Sequence, residues 1–164
     1  MSGTSSSVAP FASVRDDASR HWFLGSEAWV RLGTEASGGA LAVVEHRIPP
    51  GAESPWHVHL TQDECLYVVE GTVTVMVGSQ RWTLGPGGFT FGPRNVPHGF
   101  RVEGDRPARL LLICTPGEGF DEFIIAGGEP ATAPGFPAPA PPDIAKLTWL
   151  AGQHGNQILG PLPA

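Results

Sequence analysis

A chain of 164 residues is long enough for one domain with a real core, and 41% hydrophobic against 16% charged residues describes a globular protein. The formal net charge is −6 and the ten Lys and Arg are scattered singly, which argues against a nucleic-acid or anionic-membrane partner. No run approaches the ~18 apolar residues of a membrane span, and two cysteines, Cys65 and Cys114, are too few for a disulfide scaffold and are expected as reduced thiols.

The opening residues, MSGTSSSVAPFASV, have no basic stretch followed by a long apolar one, so a cytoplasmic protein is expected. Residues 1–18 are Ser- and Ala-rich without a period, and read as a flexible lead-in. From about residue 20 to 115, short runs rich in Val, Leu, Phe and Trp are divided by turn residues. Strands are predicted at 21–25, 28–33, 40–48, 56–60, 65–71, 72–78, 80–85, 88–92, 98–103 and 108–115. The breaks are GGA, PPG, VGSQ, GPGG, GPRN and GDRP. Many short strands at close spacing indicate an all-β sandwich or barrel, placed here at residues 19–128.

After Thr115 the pattern changes. PGEGFDEFIIAGG (116–128) carries Phe120, Phe123 and Ile124 at helical spacing and predicts a short helix packed on the barrel. EPATAPGFPAPAPPD (129–143) holds six prolines and should run extended over the surface, outside any ladder. DIAKLTWLAG (143–152) predicts a second short helix, capped by Asp143 and ended by glycine. Residues 129–164 thus read as a connector and tail, packed on the barrel or on a partner subunit.

PWHVHLTQDE (55–64) concentrates the chemistry. His57 and His59 are two apart, so on a strand they share a face. Glu64 follows on the next strand, and His98 comes after the Pro-containing turn of GGFTFGPRNVPHGF (87–100). Three imidazoles and one carboxylate suit a divalent transition metal.

The spacing Gly51-x5-His57-x-His59-x4-Glu64-x6-Gly71 resembles the first cupin motif at every position. Gly87-x5-Pro93-x-Asn95-x2-His98 resembles the second, with Asn95 where the family has glycine and Val102 where it often has asparagine. Asn is the residue best able to replace glycine in a left-handed turn. The resemblance covers roughly residues 20–128. It implies a double-stranded β-helix (jelly-roll) barrel, here with short C-terminal helices and a Pro-rich extended tail. It also implies one divalent transition metal ion per chain (Fe, Ni, Mn, Co, Cu or Zn) on His57, His59, Glu64 and His98. More finely, WFLG (22–25), GGALAVVEHRIPPG (38–51), RLLLICTPG (109–117), FDEF and the ILGP tail are similar to single-domain cupins described as quercetin-dioxygenase-like. In those enzymes the matching glutamate is both ligand and base, which assigns Glu64 a catalytic role by resemblance.

Three functions follow as expectations. The first is a metal-dependent dioxygenase acting on a small aromatic or enolisable substrate with O2. The second is a non-redox isomerase, cyclase or lyase. The third is a cupin that binds a small molecule without turnover. Phe91 and Phe100, with Trp22 and Leu66, are candidates for the substrate pocket. His21, His46 and His154 are read as surface or structurally bonded histidines, and Arg94 and Asn95 as turn residues. The apolar segments HWFL, FIIA and TWL need covering, so a second copy of the chain is the expected partner, in a homodimer.

Overall fold

A computed structural model describes residues 8–164, so the first seven residues of the predicted lead-in lie outside the described part. The strands run β1 (His21–Phe23), β2 (Ser26–Leu32), β3 (Ala42–Ile48), β4 (Trp56–His59), β5 (Asp63–Glu70) and β6 (Thr72–Val77). They continue as β7 (Gln80–Leu84), β8 (Phe89–Gly92), β9 (His98–Glu103), β10 (Ala108–Thr115), β11 (Glu129–Pro130) and β12 (Asn156–Gly160). Helices α1 (Thr34–Ser37), α2 (Phe120–Gly127) and α3 (Ile144–Gln153) complete the described elements. One sheet has the order β11-β1-β2-β3-β10-β5-β8 and the other β12-β4-β9-β6-β7, with the strands paired antiparallel. This is the jelly-roll arrangement of two facing antiparallel sheets.

Alternation along the strands builds the core. In β10, Ala108, Leu110, Leu112 and Cys114 are buried, while the residues between them are less so. β10 pairs with β3 on one side and β5 on the other, so Val44, Leu66 and Val68 join the same inner face. Val73, Val75 and Val102 cover it from the other sheet. Cys114 is buried and Cys65 only partly so, and both are free. Cys65 pairs with Ile113 and Cys114 with Glu64, so the two thiols stand on opposite faces of the sheet.

Two turns carry special backbone. The two-residue β1–β2 turn has Leu24 at φ 48° and Gly25 at φ 76°, the left-handed pair that fits a tight hairpin. Gly71, between β5 and β6, has φ 80°, and a Cβ there would lie 2.7 Å from Ala108 Cα and 2.8 Å from the Pro107 carbonyl oxygen. Gly71→Ala should therefore destabilise the fold by at least about 2 kcal/mol in urea unfolding, because neither backbone atom belongs to a side chain that can swing away. A change below about 0.5 kcal/mol would mean the Pro107–Ala108 backbone yields.

The C-terminal part differs from its sequence reading. Glu129 and Pro130, expected outside any ladder, pair with Trp22 and His21 at the edge of the seven-stranded sheet, where a proline lacking an N–H is tolerated. β12 pairs with β4 and lies at the edge of the five-stranded sheet. The tail is thus part of the barrel. Helix α2 packs on β1, β3 and α3, which covers Phe23, Ile124 and Leu150 within the chain, although Ile125 and Trp149 stay exposed. The single-turn α1 was not foreseen; it ends at Gly38 with φ 62°. Among the described residues, no helix is long and apolar enough to cross a membrane.

Candidate metal centre

His57 and His59 share the inner face of β4, and His98 opens the neighbouring β9, directly opposite His57 in the ladder. Glu64 comes from β5 in the facing sheet, because residues 60–62 carry the chain from one sheet to the other. The ligating atoms of these four side chains lie within 4.8 Å of one another. Glu64 Oε2 stands 2.7 Å from His98 Nε2, 3.4 Å from His59 Nε2 and 3.9 Å from His57 Nε2.

The opposite ring nitrogens explain this convergence. His57 Nδ1 is 2.8 Å from the Pro55 carbonyl oxygen, His98 Nδ1 2.9 Å from that of Val96, and His59 Nδ1 2.9 Å from Gln62 Oε1. Each Nδ1 can donate its proton outward to an oxygen, so that Nε2, once any proton it carries is lost, presents its lone pair to the centre. Gln62 is buried and donates in turn to the Glu118 carbonyl oxygen, so the loop before α2 braces His59. Three imidazole Nε2 atoms, each ring held from behind, and a carboxylate fit a divalent transition metal.

A second brace joins the two motif turns. Arg94 donates to Asp63 through its backbone N at 2.9 Å, Nε at 3.1 Å and Nη2 at 2.9 Å, and its side chain holds the Asp63 carboxyl at about 2. Asn95 adopts φ 64°, and its N–H donates to the His59 carbonyl oxygen at 2.8 Å. The residue that replaces the motif glycine therefore occupies the left-handed conformation a glycine would take.

A family model described as the cupin domain matches residues 44–114, which include all four converging side chains. That stretch of the barrel is a cupin domain. Quercetin 2,3-dioxygenase of Bacillus subtilis (strain 168) is 29% identical over 99 residues, covering 60% of this chain but only 29% of that enzyme. A tetracenomycin polyketide synthase protein, TcmJ, of Streptomyces glaucescens is 29% identical over 109 residues, 66% of this chain and 70% of that one. Among solved structures, KdgF from Halomonas sp. superposes with a TM-score of 0.51 at 23% identity, over 56% of this chain and 81% of that chain. At that identity the superposition speaks for the fold.

Electrostatics in the cupin site are set by burial and by the charge of Glu64. Burial alone would raise the Glu64 carboxyl, but the interactions with His57, His59 and His98, with a hydrogen bond from His98, outweigh it and hold the group well below the usual carboxylate range. Burial lowers His59 to about 4, with Glu64 only partly opposing it. For His98, burial is outweighed by the bond to Glu64, and its proton is held more tightly than usual. Metal and protons compete for these nitrogens. In zinc binding by equilibrium dialysis, affinity should fall from mildly alkaline to mildly acidic buffer, by about tenfold per pH unit for each ligand proton displaced. A flat profile would show that His98 gives up no proton to the metal.

The cluster forms one wall of a cavity of about 110 Å³ between the sheets. Its other walls are mostly apolar, with Phe23, Ile48, Leu66, Val75, Phe100 and Phe120 among them. Leu66 and Phe100 thus line the cavity. Phe91 and Trp22 do not, which corrects the sequence reading. In the β5–β8 ladder Glu64 faces Gly92 and Leu66 faces Thr90, so the inward positions of β8 are Thr90 and Gly92, and Phe91 stands outside, 53% exposed. Trp22 is drawn outward by its indole N–H, which donates to the Gly135 carbonyl oxygen at 2.8 Å in the Pro-rich connector; Phe23 takes the inward place.

Three polar residues at this site were missed by the sequence reading: Gln62, His46 and Asn156. His46 is neither on the surface nor hydrogen-bonded through Nε2. It is 5% exposed, lines the cavity and packs edge-on to Phe23 at 6.0 Å. Its parity with Val44 and Ile48 on β3 was the signal that could have placed it inside. His21 lies within 3.2 Å of the Ser19 carbonyl oxygen, and His154 neighbours Phe123 at 6.2 Å.

Proposed function

We propose that this cupin is a metal-dependent oxygenase of the quercetinase type, acting on a small aromatic or enolisable substrate. The observation that carries the reading is the convergence of three outwardly braced imidazoles and one buried carboxylate on the wall of an apolar cavity. Similarity to the Bacillus quercetin 2,3-dioxygenase supports it. His57, His59 and His98 would hold the metal through Nε2, with Glu64 as the fourth ligand. The metal, when bound, supplies a Lewis acid that acidifies an enol or phenol hydroxyl and, if redox-active, an electron path to dioxygen. Glu64 is ionised throughout the neutral range, so its carboxylate is the proton acceptor beside such a hydroxyl. Leu66, Phe100 and Phe120 keep bulk water away and present flat walls to a planar ring.

Oxygen uptake tests the reading. Protein stripped of metal and reloaded with iron, nickel, manganese, cobalt or copper should consume oxygen with quercetin as the substrate, and stripped protein should not. Glu64→Gln should lower that rate by at least about 100-fold, since it removes both a ligand charge and the acceptor. Product formed without oxygen uptake would favour an isomerase, cyclase or lyase, for which the same ligand set serves. Ligand recovered unchanged under every metal would favour a binding protein.

A further inference from the structure

Two buried polar atoms, on residues that line this cavity, have no partner in the protein. His46 Nε2 and Asn156 Oδ1 are both fully enclosed and unbonded, and both residues line the cavity that holds the metal cluster. They come from opposite walls. His46 stands on β3 in the seven-stranded sheet, between Ala28 and Leu110. Asn156 opens β12 in the five-stranded sheet and sits opposite His59 in the ladder. Neither is needed for packing: an apolar residue would fill either position without leaving a buried polar atom unpaired, which is costly. Orphaned buried polar atoms call for a partner, and here both residues border a cavity.

We propose that His46 and Asn156 are ligand anchors, so that the cavity takes a largely apolar, polyhydroxylated ring compound whose hydroxyls, beyond the one directed at the His57–His59–Glu64–His98 cluster, bond to these two side chains. The chemistry narrows the class. Asn156 Oδ1 accepts only, so it needs a donor. A neutral imidazole presents one donor and one acceptor, and burial keeps His46 neutral at physiological pH. A phenolic or alcoholic hydroxyl satisfies both, whereas a carboxylate or phosphate has no proton to give Asn156 Oδ1 and would place a charge in an apolar cavity. The proposal rests on the reading of this cavity as the substrate site.

Binding under nitrogen to the full chain loaded with zinc, which blocks redox turnover, tests it. The probes are quercetin and 3-hydroxyflavone, which keeps the hydroxyl–carbonyl pair of quercetin but lacks its other hydroxyls. Quercetin should bind the wild type at least about tenfold more tightly. His46→Phe and Asn156→Leu should each reduce that preference toward unity, with zinc content and 3-hydroxyflavone affinity retained. His46→Gln keeps a polar group and should keep part of the preference; it serves also if the Phe variant does not fold. Equal loss of both probes in the variants would indicate a structural role and overturn the proposal. So would a wild type that binds both probes equally, which leaves the site reading intact. If neither probe binds a zinc-loaded wild type, the flavonol reading falls and the anchors fall with it.

Discussion

His59→Ala should abolish stoichiometric metal binding. His59 is 2% exposed, its Nε2 is 3.4 Å from Glu64 Oε2, and its Nδ1 is fixed by Gln62. No other side chain in the cluster can move into its place, because His57 and His98 are tied by their own carbonyl contacts and Glu64 reaches across from the facing sheet. Removing one of four ligands is expected to lower affinity by more than about 100-fold. Gln62→Leu, which leaves the ligand but frees its ring, should lower it by about 10–100-fold. The graded pair separates ligation from orientation. Elemental analysis of purified protein, followed by competition with a chelator, reads both. Unchanged stoichiometry in His59→Ala would remove His59 from the site. Metal retained after His57→Ala and His59→Ala together would place the metal elsewhere.

The first motif was legible because its information is local. His57 and His59 share a face by the two-residue period of a strand, and Glu64 lies only five residues further on. His98 was legible through the motif resemblance, and the ladder pair with His57 supplies the physical reason it arrives there. The pocket was less readable. Parity says that Phe89 and Phe91 share a face but not which face, and that choice is made by register against β5, where Glu64 meets Gly92. The same limit applies to Trp22 and Phe23, whose orientation is set by a bond to Gly135, over a hundred residues away. Asn156 was illegible for a related reason. The tail NQILG reads as an appendage until β12 is seen to pair with β4, and only that long-range pairing brings its side chain beside His59. His46 could have been found, since VVEHRI places it at the parity of Val44 and Ile48. Its neighbours Glu45 and Arg47 give the opposite, surface signal.

His46 also predicts how stability depends on pH. Burial lowers its imidazole from the ordinary 6.5 to about 4, with the charge of Glu64 opposing the shift without cancelling it. Phe23, Ala28 and Leu110 adjoin the ring, and none of them can solvate an imidazolium. Between these two values the unfolded chain binds a proton that the folded chain refuses. The folded state therefore has its full stability above the unfolded value, loses it as the pH falls toward 4, and loses no more from this group once the folded ring itself protonates. A gap of about 2.5 pH units corresponds to about 3 kcal/mol, a large part of the roughly 5–15 kcal/mol that stabilises a domain. His46→Phe removes the titration and fills the site with a ring. Its stability relative to wild type, from urea unfolding at about pH 7 and about pH 4, should improve by about 3 kcal/mol on acidification. His59 is lowered in the same direction but is present in both proteins, so it cancels in the difference. Parallel curves for the two proteins would mean that His46 meets water or charge in the folded state, and that the cavity beside it is wet at this end.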